Sequence, residues 1–141
     1  MSLIQASEQT WLARVRTNNV RQVSVPAVTP VSGAPGAWSV AIADAALAVD
    51  YWLFSLSFDT QSAAAIFDYD VATPQAGTTL LINSLHFEAI AIAAGMLGMP
   101  HVLPIPMLIP VSATNGLAIR QATASGQTCN VVAAYLTGLG T

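Results

Sequence analysis

Lysine is absent from this chain, and Asp, Glu and Arg together make up only 8% of its 141 residues. Between Ala89 and Ile119 there is no formal charge at all. Soluble domains usually carry about a quarter charged residues, so a surface this neutral has to be built from Ala, Ser, Thr, Gln and exposed apolar atoms. Such a surface suits a chain packed against copies of itself or a partner, and it argues against a freely diffusing catalyst. Positive charge is scarcest. Only Arg14, Arg16, Arg21 and Arg120 could meet phosphates, against a net charge of −3, which excludes the basic footprint of a sequence-independent nucleic-acid binder.

Other scarcities narrow the reading further. A single cysteine, Cys129, excludes an intrachain disulfide and reads as a small core residue. Long apolar runs are missing despite a hydrophobic fraction of 54%. The run from Ala89 reaches only Met99 before Pro100 and His101, and it contains Gly95 and Gly98. A bilayer crossing takes about 20 apolar residues, and Pro104, Pro106 and Pro110 would leave backbone groups unpaired in lipid, so no membrane span is expected. Met1 to Trp11 has no basic start and carries Glu8, which predicts no signal peptide.

What is present is strand pattern. From Leu47 to Phe58, Ala48, Asp50, Trp52, Phe54, Leu56 and Phe58 alternate with Leu47, Val49, Tyr51, Leu53, Ser55 and Ser57. That period of two predicts one long core strand with Trp52 on its most apolar face. Ala65, Phe67, Tyr69 and Val71 alternate with Ile66, Asp68 and Asp70, a half-exposed strand closed by the turn signal Thr73-Pro74-Gln75-Ala76-Gly77. Further strands are expected over Val20 to Val31, Trp38 to Ile42, Thr78 to about Ile92, Leu117 to Thr123 and Thr128 to Leu136. The last two are joined by Ala124-Ser125-Gly126-Gln127, which reads as a hairpin loop. The Ala-rich stretches Ala41 to Ala48 and Ala89 to Ala94 fit strand or helix, because Ala is the best helix former.

Strands at this spacing predict an all-β, antiparallel two-sheet β-sandwich over residues 19–141. Residues 1–18 read differently. Leu12 and Val15 sit at helical spacing with Glu8 on their face, which suggests a short helix or an arm reaching a neighbour. Between Met99 and Val111, Pro104, Pro106 and Pro110 share one parity and so remove donors from one edge of a strand, leaving the other edge a complete ladder. This predicts a boundary strand blocked against further pairing.

The series Leu103-Pro104-Ile105-Pro106, Ile109-Pro110, Ala118-Ile119-Arg120-Gln121-Ala122-Thr123 and Tyr135-Leu136-Thr137-Gly138 resembles small virion structural proteins of tailed bacteriophages. Upstream, Asp68-Tyr69-Asp70 and Ala76-Gly77 match the same pattern, as does Asn115-Gly116 before the Arg120 strand. The likeness runs from about Trp52 to Leu139 and leaves the N-terminal part outside it. It implies a jelly-roll sandwich that assembles as a homotrimer and sits on the capsid as a cement or decoration protein, contacting the major capsid protein or another virion protein. A tail or fibre location, binding a host glycan or protein receptor, is the alternative the same resemblance implies.

Candidate chemistry is thin. Asp68 and Asp70 share a strand face, but a calcium site needs six or more oxygens and no Asp- or Asn-rich loop supplies the rest. His86 and Glu88 share a face with no third and fourth zinc ligand at suitable spacing. Jelly rolls include the cupins, whose metal site needs more histidines than the two in this chain, His86 and His101. Ser84 and His86 lack a nucleophile elbow. No catalytic residue, metal or cofactor is therefore assigned, and no enzyme activity is expected. The aromatics Trp11, Trp38 and Trp52, with Tyr51, Tyr69 and Tyr135, could line a carbohydrate platform, Trp38 beside its Pro/Gly loop being the best placed for exposure. The residues singled out as a candidate interface are Trp11, Arg14, Arg16, Trp38, Pro104, Pro106 and Arg120, since aromatics and Arg concentrate at interfaces.

Overall fold

The computed structural model describes residues 20–27, 34–59, 62, 64–89, 91–93, 96–97, 107–123 and 126–137. The expected N-terminal arm or helix over 1–18 lies outside the described residues. The strands are β1 (Val20–Val25), β2 (Ser39–Ile42), β3 (Tyr51–Asp59), β4 (Ala65–Thr73), β5 (Thr79–Ala89), β6 (Ala91–Ala93), β7 (Met96–Leu97), β8 (Ile109–Val111), β9 (Leu117–Gln121) and β10 (Cys129–Thr137). Two antiparallel four-stranded sheets form a β-sandwich, the first in the order β1-β10-β3-β8 and the second in the order β2-β9-β4-β5, with β6 and β7 paired separately. Among the described residues there is no helix. The Ala-rich stretches are therefore strand and turn where they are described: β2 stops at Ile42, and Ala91–Ala93 is β6.

Both sheets face one core. Val23, Leu53, Leu56, Phe58 and Val131 from the first sheet meet Phe67, Tyr69, Val71, Phe87, Leu117 and Ile119 from the second. Its centre is aromatic, with the Phe58 ring 4.9 Å from Tyr69 and 4.8 Å from Phe87. Ring pairs at such spacing add about 0.5–1.5 kcal/mol beyond the area they bury. Cys129 is buried among them, as expected of a small core residue.

The long alternation over Leu47 to Phe58 is interrupted, which corrects the single-phase reading. Ala134 lies opposite Ser55 while its neighbour Tyr135 lies opposite Leu53, so Phe54 is an extra residue in β3. A bulge of this kind flips the side-chain phase. The buried set is Tyr51 and Leu53 before it, Leu56 and Phe58 after it. Trp52 is consequently not a core residue; it is half-buried on the outer face, across from Leu136 and Pro110.

The expected hairpin between Leu117 to Thr123 and Thr128 to Leu136 is also corrected. β9 belongs to the second sheet and β10 to the first, so the connection crosses the sandwich. Gln121, fully buried, holds that crossing by donating from Nε2 to the carbonyls of Thr123 (2.7 Å) and Gln127 (2.9 Å). Ser62, between β3 and β4, ties the other crossing to it: its N–H donates to the Thr128 carbonyl at 2.9 Å, and its Oγ accepts the Thr128 N–H at 2.8 Å.

The boundary-strand expectation can be followed at Pro110, Pro104 and Pro106 being outside the described residues. β8 is an edge strand of the first sheet and contains Pro110. Met107, of the opposite parity, donates its N–H inward to the Phe54 carbonyl at 2.7 Å, so the donor that Pro110 lacks belongs to the free side.

Candidate interface on the outer face of the second sheet

Two residues singled out from sequence, Trp38 and Arg120, meet on the outer face of the second sheet. Ser39 pairs with Ile119, which sets Trp38 beside Arg120, and Arg120 pairs with Asp70 on β4. Across β4 the register changes: Tyr69 faces Leu85 and Val71 faces Ile82, so Asp70 alone is opposed by both Asn83 and Ser84. The bulge turns Ser84 to a φ of +56° and brings its N–H onto Asp70 Oδ1 at 3.0 Å. A positive φ is uncommon for a residue with a Cβ and persists where the surroundings fix it.

The row Trp38–Arg120–Asp70–Ser84 is fully bonded. Arg120 Nε and Nη2 both donate to Asp70 Oδ2, each at 2.8 Å. The guanidinium carbon lies 4.4 Å from the centre of the Trp38 ring, a cation–π stack. The turn after β4 closes over the indole: Gly77, at φ +74°, lies so near Trp38 that a Cβ there would collide with the ring. The turn is held by the Gly77 N–H donating to the Pro74 carbonyl at 2.8 Å.

This cover corrects the expectation that Asp68 and Asp70 line an open strand face. Asp70 is only 3% exposed, and Ala72 and Ala118 of the same outer face are fully buried, whereas Ile66 of that face is 52% exposed. The two carboxylates have separate side-chain partners. Asp68 contacts His86, its cross-strand neighbour, at 2.9 Å, and Asp70 takes Arg120. Each acid thus has its own base.

Charge at the loop end of the sandwich is used in the same way. Asp44 Oδ1 accepts the N–H of Gln75 at 3.0 Å and of Gly116 at 2.6 Å, while Gln75 Oε1 accepts the Asp44 N–H at 3.0 Å. Asp50 accepts the N–H of Ala113. Thr73 Oγ1 donates to the Gly116 carbonyl at 2.8 Å, and the Tyr51 hydroxyl to the Asn115 carbonyl at 3.0 Å. Burial, then the charge of Asp44 and the neighbouring Tyr135, push the Tyr51 phenol well above its ordinary range; burial, then the Cys129 thiol, do the same to Tyr69.

On this face Asp70 is paired with Arg120 and Asp68 with His86, and Ile66 leaves apolar surface exposed beside them. Of the sequence-selected interface residues, Trp11, Arg14, Arg16, Pro104 and Pro106 lie outside the described residues. Sequence reasoning singled out Trp38 and Arg120 separately and missed that Asp70 and Gly77 complete their stack; the even spacing of Asp68 and Asp70 on one strand was the available signal. No protein-family model, curated protein or solved structure matches this chain.

Proposed function

We propose that this chain is a jelly-roll structural protein of a tailed-phage virion, a cement or decoration protein that stabilises the capsid by self-association, as a homotrimer, and by contact with capsid subunits. The observation that carries the reading is the nested pairing of the eight sandwich strands. β1 pairs with β10, β2 with β9, β3 with β8 and β4 with β5, all antiparallel. Nested pairing of this kind supports the jelly-roll reading, since a jelly roll winds as one long folded-over hairpin, an architecture used by viral capsid and lectin domains.

The surface supports the capsid role over a glycan-binding one. The large apolar residues exposed among the described residues are aliphatic: Val20, Val40, Val49, Ile66, Leu80 and Leu108. Sugar rings are gripped by flat aromatic faces, and the best-placed aromatic, Trp38, is stacked under Arg120. Aliphatic patches instead gain from burial against another protein, at about 25 cal/mol per Å². Repeated around a shell, modest contacts sum to a large stabilisation.

Antibody labelling of intact phage particles that encode this chain tests the reading. Label distributed over the head is expected. Label confined to the tail or fibres would replace the capsid role with receptor binding, and unlabelled particles would overturn a virion role altogether.

A further inference from the structure

The described charges are almost all occupied within the chain. Arg120 pairs with Asp70 and His86 with Asp68, while Asp44 and Asp50 accept backbone N–H groups. Arg21 and Glu88 differ: both are exposed, and neither forms an ion pair among the described residues. They are opposite in sign. Arg21 is on β1, an edge of the first sheet, and Glu88 is on β5, an edge of the second.

The four sheet edges are not alike. β8 is blocked by Pro110, and β2 is four residues long with a register shift between Val40 and Ile42. Both are devices that keep an edge from accepting another strand. β1 runs from Val20 to Val25 with neither a proline nor a shift. β5 carries shifts over 80–85, but its Leu85–Ala89 half pairs without interruption. Among the described residues, the two stretches with neither device are thus the two that bear charges without an ion pair. Each also has exposed aliphatic surface beside it: Val20 precedes Arg21 and is 47% exposed, and Ile66, directly across from Glu88, is 52% exposed. Arg21 has the parity of the buried Val23 and Val25 and yet is exposed, which sets it at the open rim of the sandwich.

We infer that copies of this chain associate head to tail, β1 of one copy adding to the Leu85–Ala89 edge of β5 in the next, with Arg21 facing Glu88. The ladder supplies the contact, and the charge pair sets its register. Because the two surfaces differ, the contact is heterologous, and heterologous contacts close into rings when the rotation allows. A ring of three is the trimer invoked above. The inference rests on the self-association in that reading and is independent of the virion role.

Charge exchange tests it on the purified full chain, with light scattering behind size exclusion reading the assembly. Arg21→Glu alone and Glu88→Arg alone should each raise the midpoint concentration for assembly by about tenfold or more, because each sets like charges face to face. The double exchange should restore assembly to near the parent value. Singles that assemble like the parent, or a double exchange no better than the singles, would overturn the contact. A second measurement covers a variant that fails to fold: mixing Arg21→Cys copies with Glu88→Cys copies should give an oxidative cross-link between the two kinds, and its absence overturns the contact equally. Labelled phage heads together with a failed exchange would discard this strand contact and leave the virion reading, while a successful exchange with unlabelled particles would do the reverse.

Discussion

Asp70 on β4 and Arg120 on β9 face each other across the second sheet, joined by two bonds of 2.8 Å to one carboxylate oxygen, with the carboxylate only 3% exposed. The remaining oxygen takes the Ser84 N–H, so the acid is satisfied from both sides. Replacing Arg120 by Met leaves that buried carboxylate without its counter-charge. The expected cost is about 3 kcal/mol, the low end for breaking a buried pair, since a quarter-exposed Arg120 leaves a path for water. Adding Asp70→Leu should recover part of the loss, because an apolar pair needs no counter-charge. Denaturant midpoints of the two singles and the double measure this; strict additivity would contradict a direct pairing.

Gly77 and Gly126 provide a contrast between two glycines of nearly equal φ, +74° and +76°. A Cβ at Gly77 runs into the Trp38 ring, while at Gly126 it meets nothing within 4 Å. Gly126→Ala should therefore cost only the left-handed backbone, about 1–2 kcal/mol. Gly77→Ala should cost that and a further 1–3 kcal/mol or so of overpacking, and Trp38→Ala should relieve the second part. Thermal melts of the three variants check it; equal losses at the two glycines would show that the turn does not press on the indole.

The buried phenols set an alkaline limit. Tyr51 and Tyr69 both have folded pKa values raised above the ordinary value, which is about 10. The neutral form is therefore favoured by the fold, and its contribution is fully present below pH 10. Above that, the unfolded chain releases protons that the folded chain retains, so stability falls with rising pH, by about 1.4 kcal/mol per pH unit for each tyrosine. Tyr69→Phe should make the decline between pH 10 and 11 shallower. A decline as steep as that of the parent would contradict a retained proton at Tyr69.

Strand existence was legible in the sequence wherever polar and apolar residues strictly alternate, as in Phe67 to Val71, and the Thr73 to Gly77 turn was legible from its Pro and Gly. The bulge at Phe54 was not. Tyr51, Trp52, Leu53 and Phe54 are all apolar, so neither phase is marked as the inner one and a slip leaves no trace. The crossing between β9 and β10 was hidden for a different reason: a short Gly-containing loop looks the same whether its strands pair or switch sheets. Asp70 reads as exposed because its cover, Trp38, Arg120 and Gly77, comes from other strands and a turn. Trp38 and Arg120 were visible as interface-forming types, whereas their stack is a product of register.

The proposed packing of this chain against copies of itself is open to native mass spectrometry of the purified chain at micromolar concentration. A stable closed oligomer, a trimer, is the predicted result. A soluble monomer with no larger species would contradict it.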